Sequence, residues 1–186
     1  MTGVGLTFDL SRCYGCDACA AACRDEHLLP FDTAWIAVEK TAAADPDDGN
    51  RVFTHRMCLH CAAPDCLAAC PEGALFPDEG GVVQVDDEAC TGCGVCVTAC
   101  PHGALTVSDA ARVVQNSPLL SPSQQRQRAR WRCRAERKVP TKCDLCLERR
   151  RAGRVPACVA ICPVQAIAFD DPSPGETVRV RFLPPG

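Results

Sequence analysis

The chain has 186 residues, a formal charge of −3, 17 cysteines and few aromatic side chains (six Phe, two Trp, one Tyr). That length holds one ordinary domain or two small ones, and so many thiols point to disulfides or metal as the organising force. The opening MTGVGLTFDLSRC has no basic n-region, apolar h-region or twin arginine, and no run approaches roughly 18 apolar residues, so neither a secreted disulfide scaffold nor a membrane span is expected.

In chain order, the first cysteine group is CYGCDACAAAC, with Cys13, Cys16, Cys19 and Cys23. Its continuation, CRDEHLLP, extends a helix toward Pro30. The second group, CLHCAAPDCLAACP, brings Cys58, Cys61, Cys66 and Cys70. Residues 71–89, PEGALFPDEGGVVQVDDEA, read as a strand, a Gly-Gly turn and a second strand. The third group, CTGCGVCVTACP, holds Cys90, Cys93, Cys96 and Cys100. The stretch from Ser117 to Ser123 reads as a Pro/Ser linker. Gln124 to Lys138 then carries seven basic residues against one acidic one, Glu136. A solvated helix or disordered insert and a docking face for an acidic partner are both compatible with that run. The fourth group, CDLCLERRRAGRVPACVAICP, supplies Cys143, Cys146, Cys158 and Cys162. Cys133 stands apart and is expected to be a free thiol.

Spacing selects the metal. Groups one and three both read C-x2-C-x2-C-x3-C. A structural zinc tetrahedron is usually completed by two separated C-x2-C pairs. Three consecutive thiols at this spacing suit a loop wrapped around a four-iron cubane. This is the bacterial ferredoxin run, whose fourth Cys ligates the other cluster of a two-cluster unit. Cys13, Cys16 and Cys19 are therefore expected to share a cubane, with Cys23 reaching to a second. Chain order pairs group two with group three across the 71–89 hairpin and leaves group one for group four. An internal repeat agrees: CPEGALF, CPHGALTV and CPVQAIAF follow Cys70, Cys100 and Cys162, and in each a Pro stops the short helix that ends at the cysteine.

The four groups together resemble the ferredoxin-type electron-transfer subunits of the dimethyl sulfoxide reductase family of molybdopterin oxidoreductases. The segments that carry the likeness are FDLSRCYGCDACAAACRDEH, RMCLHCAAPDC, TKCDLC and PACVAICP. The resemblance implies four [4Fe–4S] clusters. The first would be held by Cys13, Cys16, Cys19 and Cys162, and the second by Cys143, Cys146, Cys158 and Cys23. The third would take Cys58, Cys61, Cys66 and Cys100, and the fourth Cys90, Cys93, Cys96 and Cys70. It also implies an α+β, loop-rich fold of duplicated bacterial-ferredoxin-like units, one inserted in the other. The outer unit would span 1–51 and 109–186, with the basic insert 117–140, and the inner unit 52–108. In the family the first cluster faces a molybdopterin or tungstopterin catalytic subunit, and the fourth a membrane quinone-reactive subunit. The function implied is a relay of single electrons by a non-catalytic subunit, assembled in the cytoplasm and joined to a membrane through its partners. A soluble relay for a tungsten aldehyde oxidoreductase-like enzyme, or an independent polyferredoxin, is the alternative reading.

Charge is uneven along the chain. Residues 1–100 carry five Lys and Arg against 16 Asp and Glu, and residues 101–186 carry 15 against seven. Each oxidised cluster with its four thiolates adds about −2, so buried anions need backbone N–H groups and cations to answer them. Lys142 and Arg12, each next to a ligand, are candidates for raising a cluster potential. His60, between two ligands, is expected either to hydrogen-bond toward cluster or backbone or simply to pack. His27, His55 and His102 are assigned no role. No G-x-G-x-x-G, P-loop, H-E-x-x-H or radical-SAM spacing occurs, and the carboxylates are scattered through loops such as ADPDDGN, so no catalytic residue is nominated. Nucleic-acid binding lacks the aromatic interleaving it would need.

Overall fold

The structure, a computed structural model, describes residues 5–30, 33–41, 52–107, 121–170 and 179–184. The ADPDDGN loop, residues 117–120 of the Pro/Ser stretch and the side chain of Cys133 lie outside the described set.

The ends of the chain meet in one small sheet. β1 (Gly5–Asp9) lies between β6 (Ile167–Asp170), antiparallel to it, and β7 (Arg179–Leu183), parallel to it. Leu6 and Phe8 alternate inward along β1, as a period of two requires. Phe8 packs on Phe182 with ring centroids 5.2 Å apart.

α1 (Ala18–His27) follows the first thiol loop, and left-handed Leu28 ends it two residues short of Pro30. Cys19, Cys23 and His27 recur every four residues, share one helix face and are all buried. Next comes an antiparallel hairpin of β2 (Ile36–Thr41) and β3 (Val52–Met57). α2 (Asp65–Ala68), the hairpin of β4 (Leu75–Pro77) and β5 (Val83–Val85), and α3 (Val95–Ala99) carry groups two and three. The strand–turn–strand expected over 71–89 is β4–β5. α5 (Leu147–Arg151), α6 (Ala157–Ile161) and the first sheet complete the chain, and α6 packs along α1. α3 and α6 stop immediately before Cys100 and Cys162, and α2 two residues before Cys70, each with Pro next after the cysteine.

Where the structure describes it, the basic insert is an ordered helix that is solvated on one side, with Gln125, Arg126 and Glu136 exposed, and packed on the other, which refines the expectation for that stretch. It forms α4 (Pro122–Arg137), and Trp131 on it is among the most deeply buried side chains. The indole Nε1–H of Trp131 donates to the His27 carbonyl (2.8 Å), pinning α4 to the end of α1. Arg130 and Arg134 donate to the two oxygens of Asp87 (2.6 and 2.9 Å). Arg137 donates to the carbonyls of Asp87, Glu88 and Cys90 at 2.7, 2.8 and 2.7 Å. Three cations of the run thus brace the loop that enters group three. Local reading could not find this, because the matching carboxylate is more than 40 residues away.

Burial tends to raise the Asp87 pKa, but the hydrogen bonds from Arg134 and Arg130 outweigh it and hold the carboxyl below its usual range. Its stabilisation is therefore complete above the ordinary carboxylate pKa and is lost as pH falls through the lower folded value. Asp87→Asn leaves the buried Arg134 without a counter-charge, at a cost of about 3–5 kcal/mol. The expected result is a lower temperature for loss of visible cluster absorption, with the difference from wild type shrinking in acid.

Thiols make up a substantial minority of the interior. One buried cluster joins Leu6, Phe8, Trp35, Met57, Trp131 and Leu145 with Cys19, Cys23, Cys58, Cys143 and Cys158. A second gathers Leu75, Val83, Val85 and Val139 around Cys66, Cys90 and Cys96.

Candidate metal centres

Each thiol group is wrapped by the same backbone turn. The residue just before the second cysteine is left-handed in all four: Gly15 (φ 73°), His60 (φ 45°), Gly92 (φ 75°) and Leu145 (φ 53°). Such turns aim successive backbone N–H groups at one point, which is how short loops cradle anions. Gly92 and Leu145 donate their N–H to the first thiol of their loops, Cys90 Sγ and Cys143 Sγ, both at 3.4 Å. Glycine is required at two of the positions for space as well as conformation. A Cβ on Gly15 would strike the Phe53 ring, and one on Gly92 the carbonyl of Arg137.

A second repeat follows the last cysteine of groups two, three and four. The amides of Gly73, Gly103 and Gln165 donate to the carbonyls of Cys70, Cys100 and Cys162 at 3.3, 3.2 and 3.2 Å. The next amides of groups three and four, Ala104 and Ala166, donate to Cys100 Sγ (3.5 Å) and Cys162 Sγ (3.2 Å). These turns are the physical content of the CPEGALF, CPHGALTV and CPVQAIAF repeat.

The thiols gather across groups. Cys13, Cys16, Cys19 and Cys162 line one cavity, walled also by Pro163, Val164 and His55. Cys70, Cys90, Cys93 and Cys96 line another. Cys23 lies within electrostatic reach of Cys143, Cys146 and Cys158. Cys61 and Cys66 lie within reach of Cys58 and Cys100. Neighbouring sets lie within electrostatic reach of one another in turn: Cys158 of Cys19, Cys143 of Cys58, and Cys96 of Cys66. Among the described residues no three His, Cys, Asp or Glu side chains converge on a single metal ion.

Exposure is graded along this series. Cys16 and Cys93, in the end sets, are exposed, whereas Cys23, Cys143, Cys146 and Cys158 are all buried. Burial pushes the thiols of Cys19 and Cys96 up to about 11, and those of Cys23, Cys143, Cys146 and Cys158 higher still, with nearby thiolates adding to the effect. Bare, these groups resist ionisation; two of them have an amide donor to the sulfur, Leu145 N–H on Cys143 (3.4 Å) and Ala157 N–H on Cys146 (3.5 Å).

Cations and histidines complete the surroundings. Lys142 is buried and donates to the carbonyls of Val83 and Cys143. Its charge reaches Cys66 and His60. Lys142→Met is expected to lower the midpoint potential of the cluster nearest Cys66, as measured by EPR-monitored redox titration, because removal of a buried positive charge disfavours the added electron. Arg12 is exposed, and its charge acts on Asp9, so the tuning role considered for it has no structural support.

His60 is fully buried, and neither ring nitrogen meets a hydrogen-bonding partner among the described residues. The backbone bond considered for it is thus absent. Burial, then the charges of Lys142 and Arg150, push its pKa well down. An orphaned imidazole between Cys58 and Cys61 fits a loop built around a polar inorganic core.

Two histidines given no role from sequence also reach cysteine sulfurs. His27 Nε2 is 3.2 Å from Cys146 Sγ, and His55 Nε2 is 3.8 Å from Cys13 Sγ. The i, i+4, i+8 spacing of Cys19, Cys23 and His27 was the available signal for the first. For His55, the partner lies across the fold, and local sequence carried none.

Comparison with known proteins agrees with this chemistry. Models of 4Fe-4S binding domains match residues 10–26 and 83–106, and that of a 4Fe-4S dicluster domain matches residues 128–172. The chain is 33% identical over 170 residues to the thiosulfate reductase electron transfer subunit PhsB of Salmonella typhi, covering 88% of this chain and 73% of that protein. It is 32% identical over 176 residues to the probable anaerobic dimethyl sulfoxide reductase chain YnfG of Escherichia coli, covering 90% and 73%. It is 30% identical over 185 residues to one of the subunits of selenate reductase from Mesobacillus selenatarsenatis, spanning 96% of this chain but 63%, under two thirds, of that relative. With sixteen grouped thiols, two cavities each lined by four of them and these likenesses in hand, the chain belongs to the ferredoxin-type iron–sulfur electron-transfer subunits of the dimethyl sulfoxide reductase family of molybdopterin oxidoreductases.

Proposed function

We propose that the protein passes single electrons through four [4Fe–4S] clusters between a molybdopterin or tungstopterin catalytic subunit and a membrane quinone-reactive subunit. The ligand sets are Cys13, Cys16, Cys19 and Cys162; Cys143, Cys146, Cys158 and Cys23; Cys58, Cys61, Cys66 and Cys100; and Cys90, Cys93, Cys96 and Cys70. Each cluster, when bound, supplies a one-electron couple; the protein supplies thiolates, amide donors and an interior that excludes water. The observation that carries this reading is the thiol series itself: four sets, each within electrostatic reach of the next, with one wholly buried set inside the series and an exposed cysteine in each end set. A relay needs accessible ends and a protected interior, and a substrate site is not required for either.

The arrangement of units follows. An outer unit, 1–51 with 109–186, encloses an inner unit, 52–108. The pairing of β1 with β6 and the packing of α1 on α6 support the outer unit, and the β4–β5 hairpin between groups two and three supports the inner one. The β2–β3 hairpin spans the boundary. Among the described residues no helix is long and apolar enough to cross a membrane, so membrane attachment is assigned to partner subunits. The side of the membrane is left to them as well.

Isolation of the native complex under anaerobic conditions tests the reading. The expected result is co-purification with a large subunit containing molybdenum or tungsten and with an integral membrane protein. A soluble flavin enzyme as the sole partner would instead establish the alternative, a relay working away from the membrane.

A further inference from the structure

The closest histidine-to-thiol approach given above links two residues 119 positions apart, His27 and Cys146. The surroundings of that imidazole fix both its place and its chemistry. It is the last residue of α1 and is buried. Its ring packs on Trp35, centroids 4.5 Å apart, and the Trp35 indole is itself held by a bond from Nε1–H to Thr141 Oγ1 (3.1 Å). Its carbonyl is bound by Trp131 of α4. Ring and backbone are therefore both held from outside α1.

Nε2 faces two groups, Cys146 Sγ at 3.2 Å and Asp144 Oδ1 at 3.8 Å. Asp144 Oδ1 already accepts the Cys146 amide (2.8 Å), which fixes the carboxylate in place. A ligating thiolate and a carboxylate are both acceptors, so only a nitrogen that carries hydrogen suits this position. From this, and resting on the assignment of Cys146 to the second cluster, we infer that His27 is a positioning residue for that cluster, donating Nε2–H to the Cys146 sulfur and raising its reduction potential above the value the loop alone would set.

The physical basis is the difference between oxidation states. The reduced cluster places more negative charge on its sulfurs, so a fixed N–H donor stabilises it more than the oxidised form. One electron arrives from the neighbouring carrier and later leaves to the next. No bond forms or breaks, and the hydrogen remains on Nε2. His55 provides an internal comparison: at 3.8 Å from Cys13 Sγ it is too distant for a bond of similar strength.

The test is an EPR-monitored redox titration of the intact protein carrying His27→Phe, His27→Gln or His55→Phe, with iron and sulfide measured in each. The second-cluster signal is identified as the one removed by Cys23→Ser. His27→Phe, which keeps a flat ring against Trp35, is expected to lower the midpoint of that signal alone. His27→Gln, which can still donate, is expected to restore much of it, and His55→Phe to move the first cluster little. An unmoved second-cluster midpoint at full iron content, or an equal shift of all four signals, would overturn the inference. If His27→Phe loses its iron, wild-type protein with 15N-labelled histidine decides: pulsed EPR of the second cluster shows a histidine nitrogen and an exchangeable proton coupled to it, or the donation is absent. Failure of the wild type to show four clusters would overturn the ligand assignment and leave the His27 contact itself unaffected.

Discussion

Stripping the iron from the folded protein with a strong chelator is expected to unfold most of it. Helices α2, α3, α5 and α6 are only four or five residues long, far below the length at which a helix persists alone. The sheets have two or three short strands, also too small to stand independently. Eight cysteines belong to the two buried clusters, so the interior depends on groups whose sulfurs are cluster ligands in the proposed reading. Metal binding therefore supplies a large share of the folding free energy. Circular dichroism and the visible absorption of the clusters are expected to disappear together. The direction of pH dependence follows from the thiols. Burial raises those of Cys19, Cys23, Cys96, Cys143, Cys146 and Cys158 above the ordinary value of 9.0 in the bare fold, and a thiol must lose its proton to ligate. Acid therefore favours the metal-free state, and chelation is expected to speed up steadily as pH falls. A chain that keeps its dichroism after complete loss of iron would show that packing, and not the clusters, holds it together.

The second large effect concerns the exchange of cysteines between groups. Cys23→Ser is expected to abolish or degrade the cluster of Cys143, Cys146 and Cys158, although Cys23 sits in the first group. Cys162→Ser is expected to do the same to the cluster of Cys13, Cys16 and Cys19. Each variant loses about a quarter of its iron, and one of four EPR signals disappears while the other three stay. Cys133→Ser is expected to leave all four. If Cys23→Ser and Cys16→Ser erase the same signal, each group keeps its own fourth thiol and the exchange is wrong. The positions already argue for exchange: Cys23 is buried within reach of three fourth-group thiols, and Cys162 lines the cavity of the first group.

The two effects share an origin. Under the proposed exchange, a loop that wraps one cubane reaches three irons and takes its fourth ligand from elsewhere in the chain. Each cluster would then close a contact between two segments, and loss of any one would loosen both. The amides of Ala104 and Ala166 on Cys100 and Cys162 serve the same junctions from the other side. The αL residues before the second cysteines are the local cost of making such loops. His60 and Leu145 adopt a conformation usually left to glycine, and both are fully buried.

By itself the sequence determined whatever is local. Thiols three and four residues apart can meet around only a few kinds of centre, and a Pro after Cys70, Cys100 or Cys162 must end its helix. A Gly-Gly between two short apolar runs folds back as β4–β5. None of this requires knowledge of distant segments. Only the tertiary structure decided the parts that depend on long-range meetings. Trp131 and Arg134 convert an apparently solvated basic run into a brace because His27 and Asp87 come to them from far along the chain. β7 joins β1 in parallel, which no hairpin signal announces. His27 and His55 gain contacts to sulfur only once α1 and β3 are set against other groups. A residue's own pattern reports its backbone and its exposed or buried face. The partner that gives a buried polar side chain its work is chosen by packing.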